Sequence, residues 1–343
     1  MVNIKLAFGG DIAPVTLRKD VYGDLANYLK VCDVRIANLE IALTNESTPL
    51  KDKIYPHKGP PEAIDMITND GFGIFNIANN HILDYGENAL LESMTLLSKK
   101  GIPFVGSGIN IKEASKPLII NKNDVRIGFI GFTTTIPIGF SATEEKMGVY
   151  PIRVITSYEQ FRNPEEYPGT AQLIKTYPVE EDLKKLSDSV RKLKQEVDII
   201  LIYAHWGTSM TSDVHDFQRI IAHEVIDSGA NAIFGGHQHV ISGVEFYKEC
   251  PIIYGLGNLI FDFSPPFFDE RTRECLVYFA DISKDSIQNS KILICKTAVN
   301  DQVNLKDALG KDSHSFNHFK KLCSDLGTEC TIGDDGFIAL SKA

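Results

Sequence analysis

Short apolar runs that alternate with helical spacing form the main pattern along this chain. β-Branched and aliphatic residues cluster in runs of a few positions, which is typical of buried strands. Between these runs, apolar residues recur three or four positions apart, which indicates amphipathic helices. In residues 214–228, for example, Val214, Phe217, Ile220, Ile221 and Val225 fall on one helical face. The pattern predicts an α/β fold in which helices cover buried sheets.

The boundaries of the predicted elements follow from the same pattern. We expect strands at residues 4–8, 34–37, 72–77, 125–133, 197–204, 232–234, 251–254 and 275–282. We expect helices at residues 22–29, 61–69, 87–99, 180–194 and 214–228. No internal repeat is visible in the sequence, which excludes solenoid architectures.

Two stretches depart from this alternation of strand and helix patterns. Residues 150–178 contain four tyrosines and four prolines but few aliphatic residues at regular spacing. A long irregular segment of this kind is typical of a lid or an insertion loop, and we predict one here. After residue 284 the pattern predicts a strand at 291–299 and a polar helix at 305–326. We therefore expect a main domain at residues 1–283 and a C-terminal strand–helix extension at 284–343.

Charge and composition exclude several classes of protein. With 35 Lys and Arg against 45 Asp and Glu, the net charge of −10 disfavours binding to nucleic acid or to anionic membranes. A hydrophobic content of 43% excludes a disordered chain. The first residues lack the pattern of a signal peptide, and no apolar run reaches the roughly 18 residues of a membrane helix. We therefore predict a cytoplasmic protein that does not insert into membranes.

The six cysteines are scattered and form no C-x-x-C pair. This spacing argues against a thiolate zinc site and against a redox motif. We expect most of them to be reduced thiols in the core, and a bridge between Cys323 and Cys330 is the alternative.

Side chains that can bind a metal ion follow the predicted strands. They are Asp11, Glu40, Asn80, His81, His205, His237 and His239. Because groups beyond the carboxyl ends of strands in an α/β sheet converge on one crevice, we expect these side chains to meet. Glycines at 9–10 and 235–236 allow close approach of the backbone to a ligand. The mixture of carboxylate, amide and imidazole ligands predicts one or two divalent ions of Mn, Fe or Zn.

These residues, in this order, resemble the capsule-synthesis protein A (CapA) family of the calcineurin-like metallophosphoesterase superfamily. The matching motifs are G-G-D (9–11), N-L-E (38–40), A-N-N-H-I-L-D-Y-G (78–86), G-S-G-x-N (106–110), A-H-W-G (204–207), G-G-H-Q-H-V (235–240) and Y-G-L-G-N-L-I-F-D (254–262). Together they cover roughly residues 4–282. The resemblance implies a four-layer sandwich of two mixed β-sheets flanked by helices, with the metal site at one edge.

The resemblance also implies roles for the individual residues. It assigns Asp11 and His239 to one metal and Asn80, His205 and His237 to a second. Glu40 would bridge the two ions or bind one of them, and His81 would face the substrate as general acid or oxyanion stabiliser. The Asp-x-His of the superfamily is here Asp11-Ile12-Ala13, which removes one imidazole. A site with one metal, or a site completed by Asn38 or a water, is therefore an alternative.

Asp84 follows His81 by three residues and allows two interpretations. Its carboxylate could accept the second ring N–H of His81 and so orient the imidazole of a catalytic pair. Alternatively, it could cap a helix that begins near Tyr85. The sequence leaves both interpretations open.

A local cluster of basic residues predicts binding of an anionic substrate. Lys53, His57 and Lys58 lie together after the second strand, and Arg271 and Arg273 lie in a loop rich in aromatic residues. A guanidinium suits bidentate binding of a carboxylate or phosphate. The alternative is that these side chains are solvated loop residues.

We predict a soluble CapA-like hydrolase in which metal-bound hydroxide attacks a phosphoester or an amide-type carbonyl. The resemblance links it to the biosynthesis of poly-γ-glutamate, capsule or a related cell-surface polymer. Its substrate would be an anionic small molecule, peptide or polymer, and a polymer-synthesis complex would be its partner. Two alternatives remain: a metal-dependent peptide or amino-acid epimerase on the same site, and a non-catalytic accessory protein that binds the polymer.

Overall fold

The computed structural model describes residues 3–297, 301–305 and 313–343. The helices are α1 Leu25–Leu29, α2 Ala63–Thr68, α3 Gly86–Lys99, α4 Ile111–Ala114, α5 Glu180–Leu193, α6 Asp216–Asp227 and α7 His314–Ser324. The strands are β1 Ile4–Ala13, β2 Val34–Leu39, β3 Ala42–Leu43, β4 Lys58–Gly59, β5 Ile74–Asn76, β6 Phe104–Val105, β7 Ser107–Gly108, β8 Leu118–Lys122, β9 Val125–Thr133, β10 Gly148–Val149, β11 Val154–Glu159, β12 Leu173–Pro178, β13 Ile199–His205, β14 Ala232–Gly236, β15 Val244–Tyr247, β16 Cys250–Ile253, β17 Asn258–Phe261, β18 Glu274–Ile282, β19 Ile287–Lys296, β20 Thr328–Ile332 and β21 Ile338–Lys342.

Two large sheets, both mixed, organise these strands. The larger sheet has the order β20-β21-β19-β18-β1-β2-β5-β6, and β17 also pairs with β1. The second sheet has the order β15-β16-β14-β13-β9-β8. The centres of both sheets are parallel, because β1 pairs in parallel with β2, and β13 pairs in parallel with β9 and β14. Antiparallel strands such as β18 and β15 complete them.

Side chains of alternate strand residues pack into different layers. Leu201 and Tyr203 of β13 lie in the core between the two sheets, whereas Ile200 and Ile202 pack beneath α5 and α6. In the larger sheet, Ala7 of β1 faces the core formed with α1, α2 and α3. A strand buried on both faces needs an unbroken apolar run, which explains the composition of β13. The layers are therefore helices, sheet, sheet and helices, and the predicted four-layer sandwich is confirmed.

The segment 150–178 is not a loop throughout, so this part of the prediction was wrong. It contains β11 and β12, which pair antiparallel from Val154–Pro178 to Glu159–Leu173. The backbone N–H of Phe217 in α6 donates to Thr176 Oγ1 at 3.3 Å and ties the hairpin to that helix. The hairpin was missed because its strands, VITSYE and LIKTYP, are largely exposed, so burial does not impose a regular alternation of apolar and polar residues on them.

The C-terminal part of the chain extends the larger sheet. The predicted strand at 291–299 corresponds to β19, although residues 298–300 lie outside the described residues. The predicted helix at 305–326 corresponds to α7, and residues 306–312 also lie outside them. Strands β20 and β21 were not predicted; they pair with each other, and β21 also pairs with β19. The division after residue 283 stays a prediction, and strands on both sides of it share one sheet.

Among the described residues, no helix combines the length and the apolar character that crossing a bilayer requires.

All six cysteines are free thiols, and Cys275, Cys295, Cys323 and Cys330 are buried. The expected core thiols are therefore present, and the alternative bridge between Cys323 and Cys330 is not formed.

Candidate metal centre

The ends of neighbouring strands bring the predicted metal ligands to one edge of the sandwich. In the larger sheet, Asp11 lies where the register of β1 shifts, Glu40 directly follows β2, and Asn80 follows β5. In the second sheet, His205 ends β13 and His237 directly follows β14. Because these strands are parallel neighbours within their sheets, their carboxyl ends lie side by side.

The ligand atoms are as close as atoms that share an ion. His205 Nε2 lies 2.7 Å from Asn80 Oδ1 and 3.3 Å from Glu40 Oε1. His239 Nε2 lies 3.9 Å from the same Glu40 oxygen. Two ligands that each lie about 2.1 Å from an ion are about 3.0–3.5 Å apart at the usual coordination angles. The spacing of these side chains therefore fits coordination of a cation.

Two groups of side chains could hold a cation, and Glu40 belongs to both. One group is Glu40, His237 and His239, and the other is Asp11, Glu40 and His205; within each, the ligand atoms lie within 4.8 Å of one another. The shared position of Glu40 matches the bridging role that the family resemblance implied. The geometry groups His237 with His239, whereas the resemblance placed them on different ions.

The carboxylate of Glu40 is the main test of whether these residues fit a metal ion. Its side chain is fully buried, and neither oxygen has a hydrogen-bond partner among the described residues. Burial and the nearby Asp11 carboxylate raise the pKa of Glu40 well above its usual value. A buried carboxylate is strongly unfavourable unless a positive charge compensates it. The donor set therefore fits one or two divalent ions.

The two histidines after β14 have a strained backbone. His237 and His239 have φ angles of 88° and 60°, in a region that residues other than glycine rarely adopt. Such conformations persist where the surrounding structure enforces them, often at functional sites. Gly236 precedes them, and a Cβ there would lie 2.0 Å from the Tyr203 hydroxyl oxygen. Only glycine therefore allows this close approach.

Two imidazoles of the centre, those of His205 and His237, are held in the neutral form that binds metals. Burial lowers the pKa of His205 to about 4 and lowers the pKa of His237 well below its usual value. His237 Nδ1 is buried without a hydrogen-bond partner among the described residues. The Nδ1 atom of His239 lies 3.0 Å from Asn258 Oδ1, which fixes the orientation of that ring.

The Asp11 carboxylate accepts hydrogen bonds from several donors. Its Oδ1 accepts hydrogen bonds from Asn38 Nδ2 at 2.9 Å and from the Tyr203 hydroxyl at 2.8 Å. Its Oδ2 accepts the backbone N–H of His237 at 2.9 Å. These bonds join the two sheets at the site. Asn38 Oδ1 in turn accepts a hydrogen bond from Asn76 at 2.7 Å. Asn38 therefore positions Asp11 through Nδ2, while its Oδ1 is engaged by Asn76.

A second polar cluster lies beside the metal ligands. His81 Nδ1 lies 2.7 Å from Asp84 Oδ2, and α3 begins after Tyr85 without a side-chain capping bond. This contact matches the orienting interpretation of Asp84 rather than the capping one. Lys53 Nζ lies 2.7 Å from Asp84 Oδ1 and donates to the Asn80 carbonyl at 2.7 Å. The His57 ring contacts the His81 ring at a tilt of 35°, with centroids 3.7 Å apart.

His57, His81 and Asp84 also have ligand atoms within 4.8 Å of one another. In this cluster the Lys53 ammonium supplies the positive charge next to the Asp84 carboxylate. Burial raises the pKa of Asp84 to about 6, and Lys53 opposes that shift. The Lys53–Asp84 ion pair thus holds the carboxylate that contacts His81.

Replacing Lys53 by Met is expected to lower the free energy of unfolding by about 3 kcal/mol. The reason is that Asp84, which is completely buried, would lose its counter-ion. Urea denaturation measures this effect. Lys51→Met is the control, because Lys51 lies in the same loop and is exposed. Equal unfolding midpoints for the two variants would contradict a stabilising role of the ion pair.

A cavity of about 310 Å³ opens onto the metal ligands. His81, His237 and His239 lie at its inner end, and Lys53 and His57 also line it. The other predicted substrate-binding residues do not contribute to its lining. Lys58 donates to the Glu46 carbonyl, Arg271 pairs with Asp269, and Arg273 donates to Ser264. Their role in anion binding stays a prediction, and the hairpin of residues 150–178 is likewise absent from the lining.

Several residues of the site were not predicted from the sequence. They are Tyr203, Asn76 and Asn79 around the metal ligands, Asn258 beside His239, and the phenylalanines of the loop after β17. Asn258 carried a usable signal, because it lies within the Y-G-L-G-N-L-I-F-D motif at 254–262. No sequence signal identified Tyr203, because it stands in an apolar run and its hydroxyl contacts a residue of the other sheet.

Comparisons with known proteins agree with these features. The family model described as bacterial capsule synthesis protein PGA_cap matches residues 5–263. The capsule biosynthesis protein CapA of Bacillus anthracis is 28% identical over 245 residues, which are 71% of this chain and 54% of that protein. The PGA biosynthesis protein CapA of Bacillus subtilis strain 168 is 30% identical over 202 residues, or 59% of this chain and 46% of that protein. The chain thus spans about half the length of these curated relatives.

Solved structures were also compared with the chain. A novel phosphatase from Mycoplasma pneumoniae has a TM-score of 0.46 at 15% identity and covers 86% of this chain and 94% of its own. A putative 5′-nucleotidase from Staphylococcus aureus in complex with α-ketoglutarate has a TM-score of 0.47 at 15% identity, covering 94% of this chain and 58% of its own. Since the family model matches most of the chain, including every proposed metal ligand, the chain belongs to the bacterial capsule synthesis protein family PGA_cap.

Proposed function

We propose that this protein is a metal-dependent hydrolase that cleaves a phosphoester or an amide-type bond. The observation that carries the proposal is the buried Glu40 carboxylate, whose oxygens lack hydrogen-bond partners among the described residues and which faces two imidazole nitrogens. Glu40, His237 and His239 would hold one ion, and Asp11, Glu40 and His205, with Asn80, would hold a second. When bound, such ions lower the pKa of a water and neutralise charge that develops on the substrate.

His81 is the proposed proton donor to the leaving group. Its Nδ1 is engaged by Asp84, so Nε2 is the ring nitrogen left for the substrate in the cavity, and Nε2 can donate a proton only while the ring is an imidazolium ion. Asp84 keeps the ring in this orientation, and Lys53 holds Asp84 in place. A positioned histidine can protonate a departing oxygen or nitrogen and so accelerate cleavage. The aromatic side chains around the cavity would limit access of bulk water to the reacting group.

The biological role we propose is synthesis or handling of poly-γ-glutamate or another cell-surface polymer. The names of the relatives support this role, since both CapA proteins are described as biosynthesis proteins. Two mycobacterial relatives, 24% identical to this chain, are described as probable polyglutamine synthesis accessory proteins. Recruitment to a polymer-synthesis complex and a cytoplasmic location are parts of the same proposal.

Metal content and activity test the proposal together. We expect protein purified without chelator, or incubated with Mn²⁺, Fe²⁺ or Zn²⁺, to retain bound metal after desalting. We expect the loaded protein to release phosphate from phosphoesters or amine from γ-glutamyl amides, and His237→Ala to abolish both metal retention and turnover. Elemental analysis and product detection measure these outcomes. Absence of stoichiometric metal both after purification without chelator and after incubation with each of the three ions would contradict the proposal.

Incubation in deuterated water separates hydrolysis from the epimerase alternative. Hydrolysis breaks a bond of the substrate and leaves its α-carbon unlabelled. Epimerisation removes and returns the α-proton, so it introduces deuterium without bond cleavage. Mass spectrometry of γ-glutamyl peptides after incubation with the loaded protein distinguishes the two. Deuterated but uncleaved peptide would replace the hydrolase proposal with the epimerase one.

A further inference from the structure

One wall of the cavity over the metal ligands is aromatic. We call Tyr55, Phe261, Phe263, Phe267 and Phe268 the aromatic wall; all five line the cavity. The Phe268 ring centroid lies 4.9 Å from that of His239, and Phe267 lies 5.3 Å from Phe268. Tyr55 in turn lies 5.4 Å from Phe267. The wall therefore runs continuously from a proposed metal ligand to the mouth of the cavity.

The outer part of the aromatic wall is exposed to solvent. Tyr55 is 40% exposed, Phe267 is 48% exposed, and the neighbouring Ile54 is 83% exposed. The rings of Tyr55 and Phe267 stand edge to face at an angle of 65°, so a third ring can pack against both. Single exposed apolar side chains are common, but a cluster at the mouth of a polar site is typical of a ligand-binding surface.

The side chains that line the cavity offer few positive charges of their own. Among the described residues that line it, Lys53 is the single lysine or arginine, and its ammonium is held by Asp84 and by the Asn80 carbonyl. Asp52, which also lines the cavity, carries a negative charge. A ligand with many carboxylates would therefore find no free lysine or arginine in this lining.

The volume of the cavity suits a small ligand better than a polymer segment. Its volume of about 310 Å³ is at the lower end of the range for small-molecule sites. A phosphoryl group at the histidines and one ring against the aromatic wall would occupy such a space. A polymer segment with several side chains would extend beyond it.

From these observations we propose that the substrate carries an aryl group, or an apolar group of similar size, next to the phosphoryl group that reacts. This group packs on the aromatic wall, while the metal ligands and His81 face the phosphoryl group. The inference rests on the proposed function and narrows its substrate class. Of the two bond classes in the proposed function, it selects the phosphoester.

Binding of non-hydrolysable phosphonates tests this proposal. Calorimetric titration would compare phenylphosphonate, methylphosphonate and a γ-linked tetraglutamate on the intact chain, with and without Mn²⁺. We expect phenylphosphonate to bind at least about tenfold more tightly than methylphosphonate, because the ring buries apolar surface. In Phe267→Ala and Tyr55→Ala this ratio should fall towards one, while affinity for methylphosphonate stays the same. Phe161→Ala is the matched control, because Phe161 is 56% exposed and does not line the cavity.

The outcomes separate this proposal from the proposed function. The affinity ratio of the two phosphonates reports on the aromatic wall, and the Mn²⁺ dependence of methylphosphonate binding reports on the metal centre. Equal affinities for both phosphonates would overturn the substrate proposal, as would an unchanged ratio in both alanine variants. Tighter binding of tetraglutamate than of phenylphosphonate would also overturn it. Loss of the Mn²⁺ dependence alone would count against the metal centre and not against the aromatic wall.

Discussion

Replacing Glu40 by Gln is expected to remove metal binding and, at the same time, to make the metal-free protein more stable. The carboxylate can compensate the charge of an ion, but without one its burial beside Asp11, with no hydrogen-bond partner among the described residues, disfavours the ionised form and raises its pKa. Glutamine keeps the shape and loses the charge. We expect metal affinity to fall by more than about 100-fold. We expect the free energy of unfolding in the presence of chelator to rise by about 1–2 kcal/mol.

Two measurements check the Glu40 prediction. Calorimetric titration with Mn²⁺ gives the affinity, and urea denaturation with chelator gives the stability of the metal-free form. Glu196→Gln is the control, because Glu196 is exposed and the same charge is removed there. An unchanged Mn²⁺ affinity would show that Glu40 is not a ligand. A metal-free variant less stable than the wild type would show that the carboxylate is stabilised in some other way.

Replacing His81 by Ala is expected to lower kcat by about 10²–10⁴-fold while metal content stays the same. Metal content is expected to persist because His81 belongs to neither group of side chains that shares Glu40. If His81 protonates the leaving group, the loss depends on how basic that group is. We expect phenyl phosphate, whose phenol has a pKa of about 10, to lose more turnover than p-nitrophenyl phosphate. A purely structural role would reduce both reactions equally.

Steady-state kinetics on the two aryl phosphates, together with elemental analysis, measure the His81 effect. His314→Ala is the control, since His314 is an exposed histidine at the start of α7. Added imidazole should restore part of the turnover of His81→Ala by entering the space left by the side chain. Full turnover in His81→Ala would remove this residue from the mechanism. Loss of bound metal in the same variant would instead indicate a ligand role.

Much of the fold was accessible from the pattern of apolar residues. The strand at Val125–Thr133 has the predicted boundaries, and α3, α5 and α6 lie within two residues of theirs. These elements are long and bury one face or both, so packing enforces their periodicity. The hairpin of β11 and β12 was missed because its strands are mostly exposed. Exposed strands are under little pressure to alternate apolar and polar residues.

The candidate metal ligands could also be located from the sequence, because they follow strands in recognisable motifs. Glu40, His205, His237 and His239 stand directly at or after strand ends, and flanking glycines mark close backbone approach. The motifs identified the capsule-synthesis family, and the match of residues 5–263 confirms it. The sequence could not say which imidazoles share an ion. That grouping depends on distances between loops of different strands.

What the sequence by itself determined is the set of buried strands, the helices that cover them, and the polar residues at the strand ends. These follow from local periodicity and residue type, which burial constrains within each element. What only the tertiary structure decided is which distant side chains meet. Tyr203 contacts Asp11 across 192 positions, and Lys53 contacts Asp84 while Lys58 and Arg271 bind elsewhere. The aromatic wall likewise exists only because two loops far apart in the sequence pack together. Such contacts are fixed by sheet order and layer packing, and no local pattern records them.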